Sequence, residues 1–396
     1  MQTSQLLHKH LADIHSGIHG TRLQSLMDVA SALQKGQNLG LTAMGRNIEG
    51  DAGLKHKIKK VDRLEGNLHL HSELDEIYCG LSSYVFKYIS YDTNIPILID
   101  LCFIKDKYDI QMLSAEVATK GRSIPLVRDV FAKKGLKGRA RSFLSKLSKC
   151  IPSNKKILVI MDAGFGEDWL KEIEMNGWYW LTRVRSKKKI KLKGEDDWMT
   201  AQEFIPKIEN RTKNYNDSLF MIKHSRPCRI ITKKPTIKNT KNKYTKQPRN
   251  YNAGSGNYRR TAKEPWILAT NLPSEYNSNK VINYYSKRMQ IEESFRDVKS
   301  HQFGLGARYA RTVCIHRWGV KMLLAAIVQI IFWILGIIGH SQGFQKKFQA
   351  NTVKDKKIFS YFYLGQLIVE HGMVHELKID YRQLSGIIDE ELSRKW

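Results

Sequence analysis

The sequence predicts an α/β protein with a mixed sheet and with helical segments at both ends. Three observations carry this prediction. Short apolar runs separated by turn residues follow one another in the first half of the chain, strand and helix patterns alternate after them, and helical periodicity dominates near the termini. The chain has 396 residues, which allows roughly two or three domains with well-buried cores.

The first 70 residues are predicted to form a helical, basic module. One helix is indicated by the spacing of Leu23, Leu26 and Leu33, a second begins near Leu41, and a third spans 55–64 and carries five basic residues. A basic helix of this kind suits a DNA groove or its phosphates, whereas a solvated helix face is the simpler alternative.

The central part of the chain is predicted to form the sheet. Residues 95–103, 110–118 and 124–131 are predicted strands joined by short turns. A helix over 139–150, a strand over 157–162, a helix over 167–175 and a strand over 178–184 follow. A three-stranded meander followed by β-α units is the order of a ribonuclease-H-like mixed sheet.

Residues 186–263 interrupt this pattern. No acidic residue lies between Asp217 and Glu264, while Lys, Arg, Asn, Thr and Gly dominate. Such a stretch has too little apolar surface for a core of its own, so we expect a loop-like insertion unless it lies on phosphates. The apolar strand that begins at Trp266 returns the chain to the core.

Residues 322–338 are almost entirely apolar. The run contains Gln329 and is slightly shorter than the ~18 to 20 residues that a membrane-spanning helix usually needs. We therefore predict a buried core helix behind the helix that carries Glu292, and no membrane association.

Two aspartates close apolar strand runs. Asp100 ends the run 95–100, and Asp162 ends the run 157–162. Open α/β sheets place their chemistry at strand ends, and a carboxylate there needs water, a cation or a metal. Capping the strand or pairing with a nearby lysine is the simpler alternative for each aspartate.

A third acid lies in a helix predicted over 281–300. At roughly 100° per residue, four polar side chains fall within about 60° of one another: Tyr285, Arg288, Glu292 and Lys299. This stripe is ~21 Å long, close to the rise of six nucleotides at ~3.4 Å each. The stripe therefore suits a nucleic-acid strand, although ordinary i,i+4 ion pairs on a wet helix face are an alternative.

Together, Asp100, Asp162 and Glu292 are candidates for one three-carboxylate site. Three hard oxygen ligands that leave most coordination positions to water and phosphate suit Mg²⁺ or Mn²⁺.

These residues resemble the signature of a known family. The spacing Y-x2-R-x3-E-x6-K over 285–299, together with the two aspartates, is similar to that of DDE transposases of the insertion-sequence-four family, which are bacterial cut-and-paste enzymes. Further landmarks of the resemblance are the segments 162–165, 177–181 and 264–270.

The resemblance implies a ribonuclease-H-like catalytic core. In it, Asp100, Asp162 and Glu292 would bind two Mg²⁺ (or Mn²⁺) ions. Three residues would contact DNA phosphates near the cut: Tyr285, Arg288 and Lys299. Relatives place an aromatic residue near an unstacked base during hairpin formation, and Trp266 resembles that position. Core packing is the simpler role for Trp266, because it opens an apolar strand.

The resemblance also implies an order of reactions and a set of partners. The DNA partners would be the inverted repeats at the transposon ends and a target DNA. The steps would be nicking, hairpin formation, hairpin opening and strand transfer of the 3′ ends. A homodimer in a synaptic complex would coordinate the two ends.

Combined, the patterns and the resemblance divide the chain into five predicted parts. These are a helical DNA-binding module (1–70), a first part of the core (71–185), a basic and mainly β insertion (186–263), a second part of the core with the catalytic glutamate helix (264–340) and a C-terminal helical region (341–396).

Two alternative functions remain open at this point. The chain has Leu101-Cys102-Phe103 where the family often has a tryptophan and a small polar residue, so a catalytically impaired DNA-binding remnant is one alternative. A nuclease of the same fold, which cuts without joining, is the other.

Composition agrees with a polyanionic partner. The formal net charge is +28, which favours nucleic acid, with an anionic membrane surface as the rival. The five cysteines form no C-x2-C pair, so neither a zinc site nor a disulfide framework is predicted. We expect a reducing, cytoplasmic location.

Overall fold

The computed structural model of the protein describes most of the chain and two compact units within it. The described residues are 3–14, 17–88, 94–105, 108–132, 136–234, 264–302, 304–353, 356–380 and 383–393. The first unit comprises Met1–Ile157 and Lys287–Trp396, and the second unit comprises Leu158–Ser286. The most basic part of the predicted insertion, 235–263, lies outside the described residues.

The first unit begins with helices. They are α1 (Thr3–Ile14), α2 (Gly20–Gly36), α3 (Leu41–Arg46), α4 (Leu54–Glu65) and α5 (Leu68–Tyr88). The three helices predicted in this region are confirmed as α2, α3 and α4. Helix α4 buries Val61 and Leu64 and exposes Lys55 and Lys59, so its charge run lies on a solvent-facing side.

An antiparallel meander follows in the first unit, as predicted. Strands β1 (Ile95–Lys105), β2 (Ile110–Ala118) and β3 (Ser123–Ala132) pair in the order β3-β2-β1. Asp100 pairs with Ser114 across β1 and β2, and β1 continues to Lys105. Asp100 therefore lies in the middle of its strand. The apolar run 95–100 had placed it at a strand end, which was wrong, because Leu101, Cys102 and Phe103 beyond it still join the ladder to β2.

The second unit holds the β-α-β pattern predicted after the meander. Strand β4 (Ile157–Met161) is parallel to β5 (Tyr179–Arg183), with α7 (Glu167–Met175) between them. Helix α6 (Ala140–Cys150) precedes β4 in the first unit. The remaining strands are β6 (Lys189–Lys191), β7 (Met199–Thr200), β8 (Lys213–Phe220), β9 (Arg226–Lys233) and β10 (Trp266–Thr270).

Within the second unit the strand order is β4-β5-β10-β9-β8-β6-β7. A short helix α8 (Ala201–Phe204) follows β7, and α9 (Ser278–Ser286) closes the unit. The parallel β4–β5 pair beside antiparallel neighbours makes this sheet mixed, so the predicted mixed α/β class is confirmed. Strands are the predominant regular structure in the described part of the predicted insertion, 186–234.

The rest of the first unit is helical. Helix α10 (Met289–Lys299) is followed by α11 (Ile315–Ser341), α12 (Tyr361–Glu370) and α13 (Leu384–Ser393). Within the described residues, α11 is the one helix long and apolar enough to cross a membrane, and its most apolar window is fully buried. Gln329 of α11 donates to the Ser294 hydroxyl of α10 at 3.1 Å. The predicted core helix behind Glu292 is thus confirmed.

One cysteine pair departs from the sequence-based expectation. Cys79 of α5 and Cys150 of α6 form a disulfide, with their Cα atoms 4.2 Å apart. The two cysteines are 71 positions apart in the chain, and the packing of two helices brings them together. The sequence had indicated no disulfide framework, and this single bond was not foreseen, because spacing motifs detect only cysteines that are close in sequence.

Candidate active site

The predicted helix over 281–300 is two helices, α9 and α10. Between them, Lys287 and Arg288 form a turn in which Gln290 N–H donates to Lys287 O at 2.9 Å and Ile291 N–H donates to Arg288 O at 3.2 Å. These are i→i−3 bonds, so the α-helical ladder is interrupted. No Pro or Gly marks the break. The four polar residues therefore do not share one face of a single helix, and that prediction was wrong.

Arg288 joins two of the three predicted acids within the first unit. Its Nη1 lies 3.4 Å from Asp100 Oδ2, and its Nη2 donates to Glu292 Oε1 at 2.6 Å. The side chains of Asp100 and Arg288 are mostly buried, while that of Glu292 is 42% exposed. The guanidinium therefore holds carboxylates from the sheet and from α10 around one positive charge.

Local structure explains the position of each acid. Asp100 is held by the β1–β2 ladder, and its Oδ1 accepts from the Leu101 N–H at 2.8 Å. Glu292 lies one turn after Arg288, in the first turn of α10, where a carboxylate is favoured by the helix dipole. Both acids are therefore positioned by regular secondary structure, a strand for Asp100 and a helix for Glu292.

A cavity of about 800 Å³ opens beside these acids, entirely within the first unit. Asp100 and Glu292 line it, and so do three cations: Arg296, Lys299 and Arg308. Lys299, which was predicted to contact phosphate, donates through Nζ to the Phe103 carbonyl at 3.3 Å. The walls of this cavity therefore combine two acids with an excess of positive charge, which suits a phosphate group and its metal ions.

Sequence reasoning missed part of this cavity. Arg308, His301 and Tyr309 also line it, from the loop after α10. The alternation of basic and aromatic residues in Ala307-Arg308-Tyr309-Ala310-Arg311 was the signal that would have drawn attention to them. Their distance from the acids depends on the path of that loop, which no short spacing rule predicts.

Cys102 follows Asp100 by two positions in β1. Burial raises the pKa of its thiol to about 12, and the nearby Lys299 opposes this shift. The thiol is therefore protonated at neutral pH and is neither a nucleophile nor a metal ligand in this state.

The third predicted acid, Asp162, lies in the second unit directly after β4. Its Oδ1 accepts from the Gly164 N–H at 2.6 Å, and its carbonyl accepts from the Thr182 hydroxyl at 3.0 Å. Burial lowers the pKa of Lys188, and the negative charge of Asp162 opposes that shift. Asp162 thus ends its strand in a fixed orientation, as predicted.

Trp266 and Tyr285 also belong to the second unit. Their rings meet edge to face with centroids 5.1 Å apart. Trp266 is partly exposed at the start of β10, whereas Tyr285 is only 4% exposed. Trp266 therefore takes part in packing, which was the simpler of its two predicted roles. The predicted contacts of both residues with DNA stay predictions.

The donor set of the first unit fits a hard divalent cation. Asp100 and Glu292 supply hard carboxylate oxygens, and a positive group already lies between them. Throughout the described ranges, no group of three or more His, Cys, Asp or Glu side chains is gathered so as to hold a metal ion. The three-acid metal site therefore stays a prediction.

Comparison with known protein families found one partial match. Residues 132–324, just under half of the chain, match the family described as Transposase DDE domain. That segment includes Asp162, Trp266, Tyr285, Arg288, Glu292 and Lys299 and begins after Asp100. This similarity supports a transposase function in general and suggests an enzyme that cleaves or transfers DNA. No curated protein matches the chain.

Proposed function

We propose that the protein is a DNA transposase of the insertion-sequence-four type, with a ribonuclease-H-like catalytic core. The observation that carries this proposal is the bridge from Arg288 to Asp100 and Glu292, beside a cavity that these two acids line together with Arg296, Lys299 and Arg308. Phosphoryl transfer needs carboxylates that can hold cations and, next to them, positively charged groups that bind phosphate. The two acids and the neighbouring cations supply both. The similarity of 132–324 to a transposase domain points to the same chemistry.

Three acids would hold two Mg²⁺ or Mn²⁺ ions in this proposal: Asp100, Asp162 and Glu292. When bound, such ions activate the attacking oxygen and stabilise the leaving oxygen. The protein contributes alignment and charge neutralisation, so no covalent protein nucleophile is required.

Arg288 would have two partners in the course of the reaction. Without DNA, its guanidinium neutralises Asp100 and Glu292. With metal and DNA bound, the acids would be neutralised by the metal, and the fork-shaped guanidinium would be able to bind a phosphate in two-point fashion. Lys299 would bind a neighbouring phosphate from the same cavity, Tyr285 would add a hydroxyl contact, and Trp266 would lie near an unstacked base.

The proposed reaction is a series of exchanges at phosphorus. Water attacks first, and the strand is nicked with release of a 3′-hydroxyl. That hydroxyl attacks the opposite strand to form a hairpin, water opens the hairpin, and the freed 3′ ends attack the target DNA. Each step forms one phosphorus–oxygen bond and breaks another. A homodimer in a synaptic complex, acting in the cytoplasm, would bring the two transposon ends together.

A strand-transfer assay tests this function. The full chain is incubated in Mg²⁺ with linear DNA that carries the terminal inverted repeats flanking its gene, together with a supercoiled target. Wild type is expected to cut and to join. Glu292→Gln is expected to bind the ends and to abolish cutting, because it removes a charged oxygen ligand while preserving shape. Asp100→Asn and Asp162→Asn are expected to behave in the same way.

Glu293→Gln is the matched control, since it alters the next acid on the same helix, which pairs with Arg296 at 2.7 Å. This variant is expected to cut and join. Cutting by Glu292→Gln at the wild-type rate would refute the assigned role. Wild type that binds the ends without cutting would indicate an impaired remnant, and cutting without joining would indicate a nuclease.

A further inference from the structure

Two aromatic side chains that line the acid-bearing cavity have no role in the chemistry proposed above. His301 and Tyr309 have ring centroids 4.4 Å apart and planes inclined by 58°. Tyr309 is 52% exposed and His301 is also exposed. Both rings line the cavity that contains Asp100 and Glu292.

The loop that carries these rings is fixed by its backbone. Leu305 N–H donates to Asp297 O at 2.8 Å, and Gly306 N–H donates to Ser300 O at 2.8 Å. A Cβ at Gly304 would lie 2.0 Å from Asp297 O, and Gly306 has a φ of +60°, so glycine suits both positions. The loop thus holds the aromatic pair in place before any ligand arrives.

Tyr309 lies where two basic cavities of the first unit meet. It lines the acid-bearing cavity together with Arg308. It also lines a second cavity of about 720 Å³, to which Arg46, Arg311 and Arg317 contribute positive charge and to which the buried pair of Glu65 and Lys321 also belongs. Tyr309 is thus a lining residue of both cavities, and a polyanionic strand that ran from one to the other would meet its ring.

We propose that Tyr309, with His301 beside it, is a stacking platform for an unpaired nucleobase of the DNA strand at the acid pair. Every base has a π-face, so an exposed tyrosine flanked by arginines binds single-stranded nucleic acid with little sequence preference. Arg308 and Arg311, one on each side of Tyr309, bind the phosphates that flank the stacked base. The inference rests on the proposed function, because it takes the reacting strand as the ligand.

Binding of oligonucleotides by the full chain tests the platform. The probes are a fully paired duplex and the same duplex with a few unpaired nucleotides at one end, including a fluorescent purine analogue. Binding is measured in buffer with EDTA, so that no cutting interferes. Tyr309→Ala is expected to lower affinity for the unpaired probe about 5- to 150-fold and to remove the quenching of the analogue. Affinity for the duplex is expected to be unchanged.

Two further variants separate stacking from other effects. Tyr309→Phe keeps the ring and is expected to retain both affinity and quenching. Tyr108→Ala removes an aromatic of similar exposure, 47%, which does not line the cavity, and is expected to bind like wild type. Equal affinities of Tyr309→Ala and wild type for the unpaired probe would overturn the proposal, as would an equal loss for both probes.

The outcome is independent of the strand-transfer assay. If wild type cuts and joins DNA while Tyr309→Ala binds the unpaired probe normally, the platform is wrong and the transposase function stands. If Tyr309→Ala loses quenching although wild type neither cuts nor joins, the platform stands and the proposed activity is wrong.

Discussion

Arg288 contacts the two acids at different distances, 3.4 Å to Asp100 and 2.6 Å to Glu292. The acids it joins come from a strand and a helix far apart in the chain, and both would repel each other without a positive charge between them. The same guanidinium is the proposed phosphate ligand, so its removal affects the acids and the DNA at once.

Arg288→Ala is expected to weaken binding to transposon-end DNA and to lower the dependence of affinity on salt, by about one unit in the slope of log K against log salt. A variant that contacts one phosphate fewer displaces about one counterion fewer from the DNA when it binds. The dissociation constant across a KCl series measures this, with Arg141→Ala as the control because Arg141 is exposed on α6. A slope equal to that of wild type would exclude the phosphate contact.

Asp297, in the last turns of α10, is a buried acid. Burial raises its pKa to about 7 from the usual 3.8, while Arg122, which donates to it at 2.9 Å, acts in the opposite direction. The folded state therefore holds this proton more tightly than the unfolded chain does. The stability that the protonated form contributes is present at low pH and is lost as pH rises toward the folded-state pKa.

Asp297→Asn is expected to remove this pH dependence. Between about pH 4 and pH 7, the free energy of unfolding of wild type should fall relative to that of the variant. Urea unfolding at several pH values measures the difference, and Asp196→Asn, at an exposed acid of the second unit, is the control. Parallel pH profiles for wild type and Asp297→Asn would show that the carboxyl does not titrate in this range.

At the scale of elements, a buried ion pair connects α4 to α11. Lys321 of α11 pairs with Glu65 of α4, both side chains are 1% exposed, and Lys321 also donates to Leu39 O at 2.8 Å. Burial raises the pKa of Glu65 and lowers that of Lys321, and the attraction between the two opposes both shifts. The basic helix α4 is thereby fixed to the core helix through charge as well as apolar contact.

Glu65→Gln is expected to destabilise the protein by about 3–5 kcal/mol, because it leaves the Lys321 ammonium buried without its counter-charge. Adding Lys321→Met should recover much of that loss. Asp62→Asn is the control, since Asp62 is half exposed and pairs with Arg317 at 2.7 Å, where a loss of about 0–1 kcal/mol is expected. Thermal or urea unfolding measures all three, and similar losses for Glu65→Gln and Asp62→Asn would contradict this account.

At the scale of the whole molecule, the net charge of +28 dominates long-range interactions. When a basic protein binds DNA, counterions condensed on the phosphates are released into solution. This release is less favourable at high salt, so affinity depends steeply on the salt concentration. An anionic lipid surface is the other polyanion that this charge would attract. The apolar window of α11 is fully buried, and the similarity of 132–324 to a transposase domain favours DNA as the partner.

Affinity for duplex DNA is expected to fall about 10³- to 10⁵-fold between 50 and 200 mM salt if ~6 to 10 phosphates are contacted. Fluorescence anisotropy with labelled duplex measures it. Vesicles that contain phosphatidylserine serve as the comparison and are expected to bind more weakly than duplex DNA at every salt concentration. Duplex affinity that does not change with salt would contradict an electrostatic interface.

Much of the fold was predictable because its signals are local. The strands β1 to β5 and the helices α2 to α4, α6 and α7 follow apolar periodicities that extend over a few residues, and the structure has them close to the predicted bounds. Helix α5 was not predicted. The burial of α11 followed from its composition and from the single polar Gln329, which finds a partner in Ser294. Asp162 at the end of β4 was also found in this way.

Other features depend on packing between distant segments. The interruption at Lys287 and Arg288 has no local breaker, and it occurs where Arg288 contacts Asp100 of β1. The Cys79–Cys150 disulfide and the position of Tyr309 in the cavity are of the same kind. Each depends on a contact between residues that are far apart in sequence. Rules based on the spacing of neighbouring residues cannot predict such contacts.

The sequence by itself determined which residue types lie on which strands and helices, and it determined the excess positive charge. Periodic burial and composition fix these properties within a few residues. The tertiary structure alone decided that Arg288 joins Asp100 to Glu292 and that Arg308 and Tyr309 lie at the same cavity. Those relations arise only when the meander, α10 and the loop after it pack together, because side-chain contacts between distant segments depend on the path of the whole backbone.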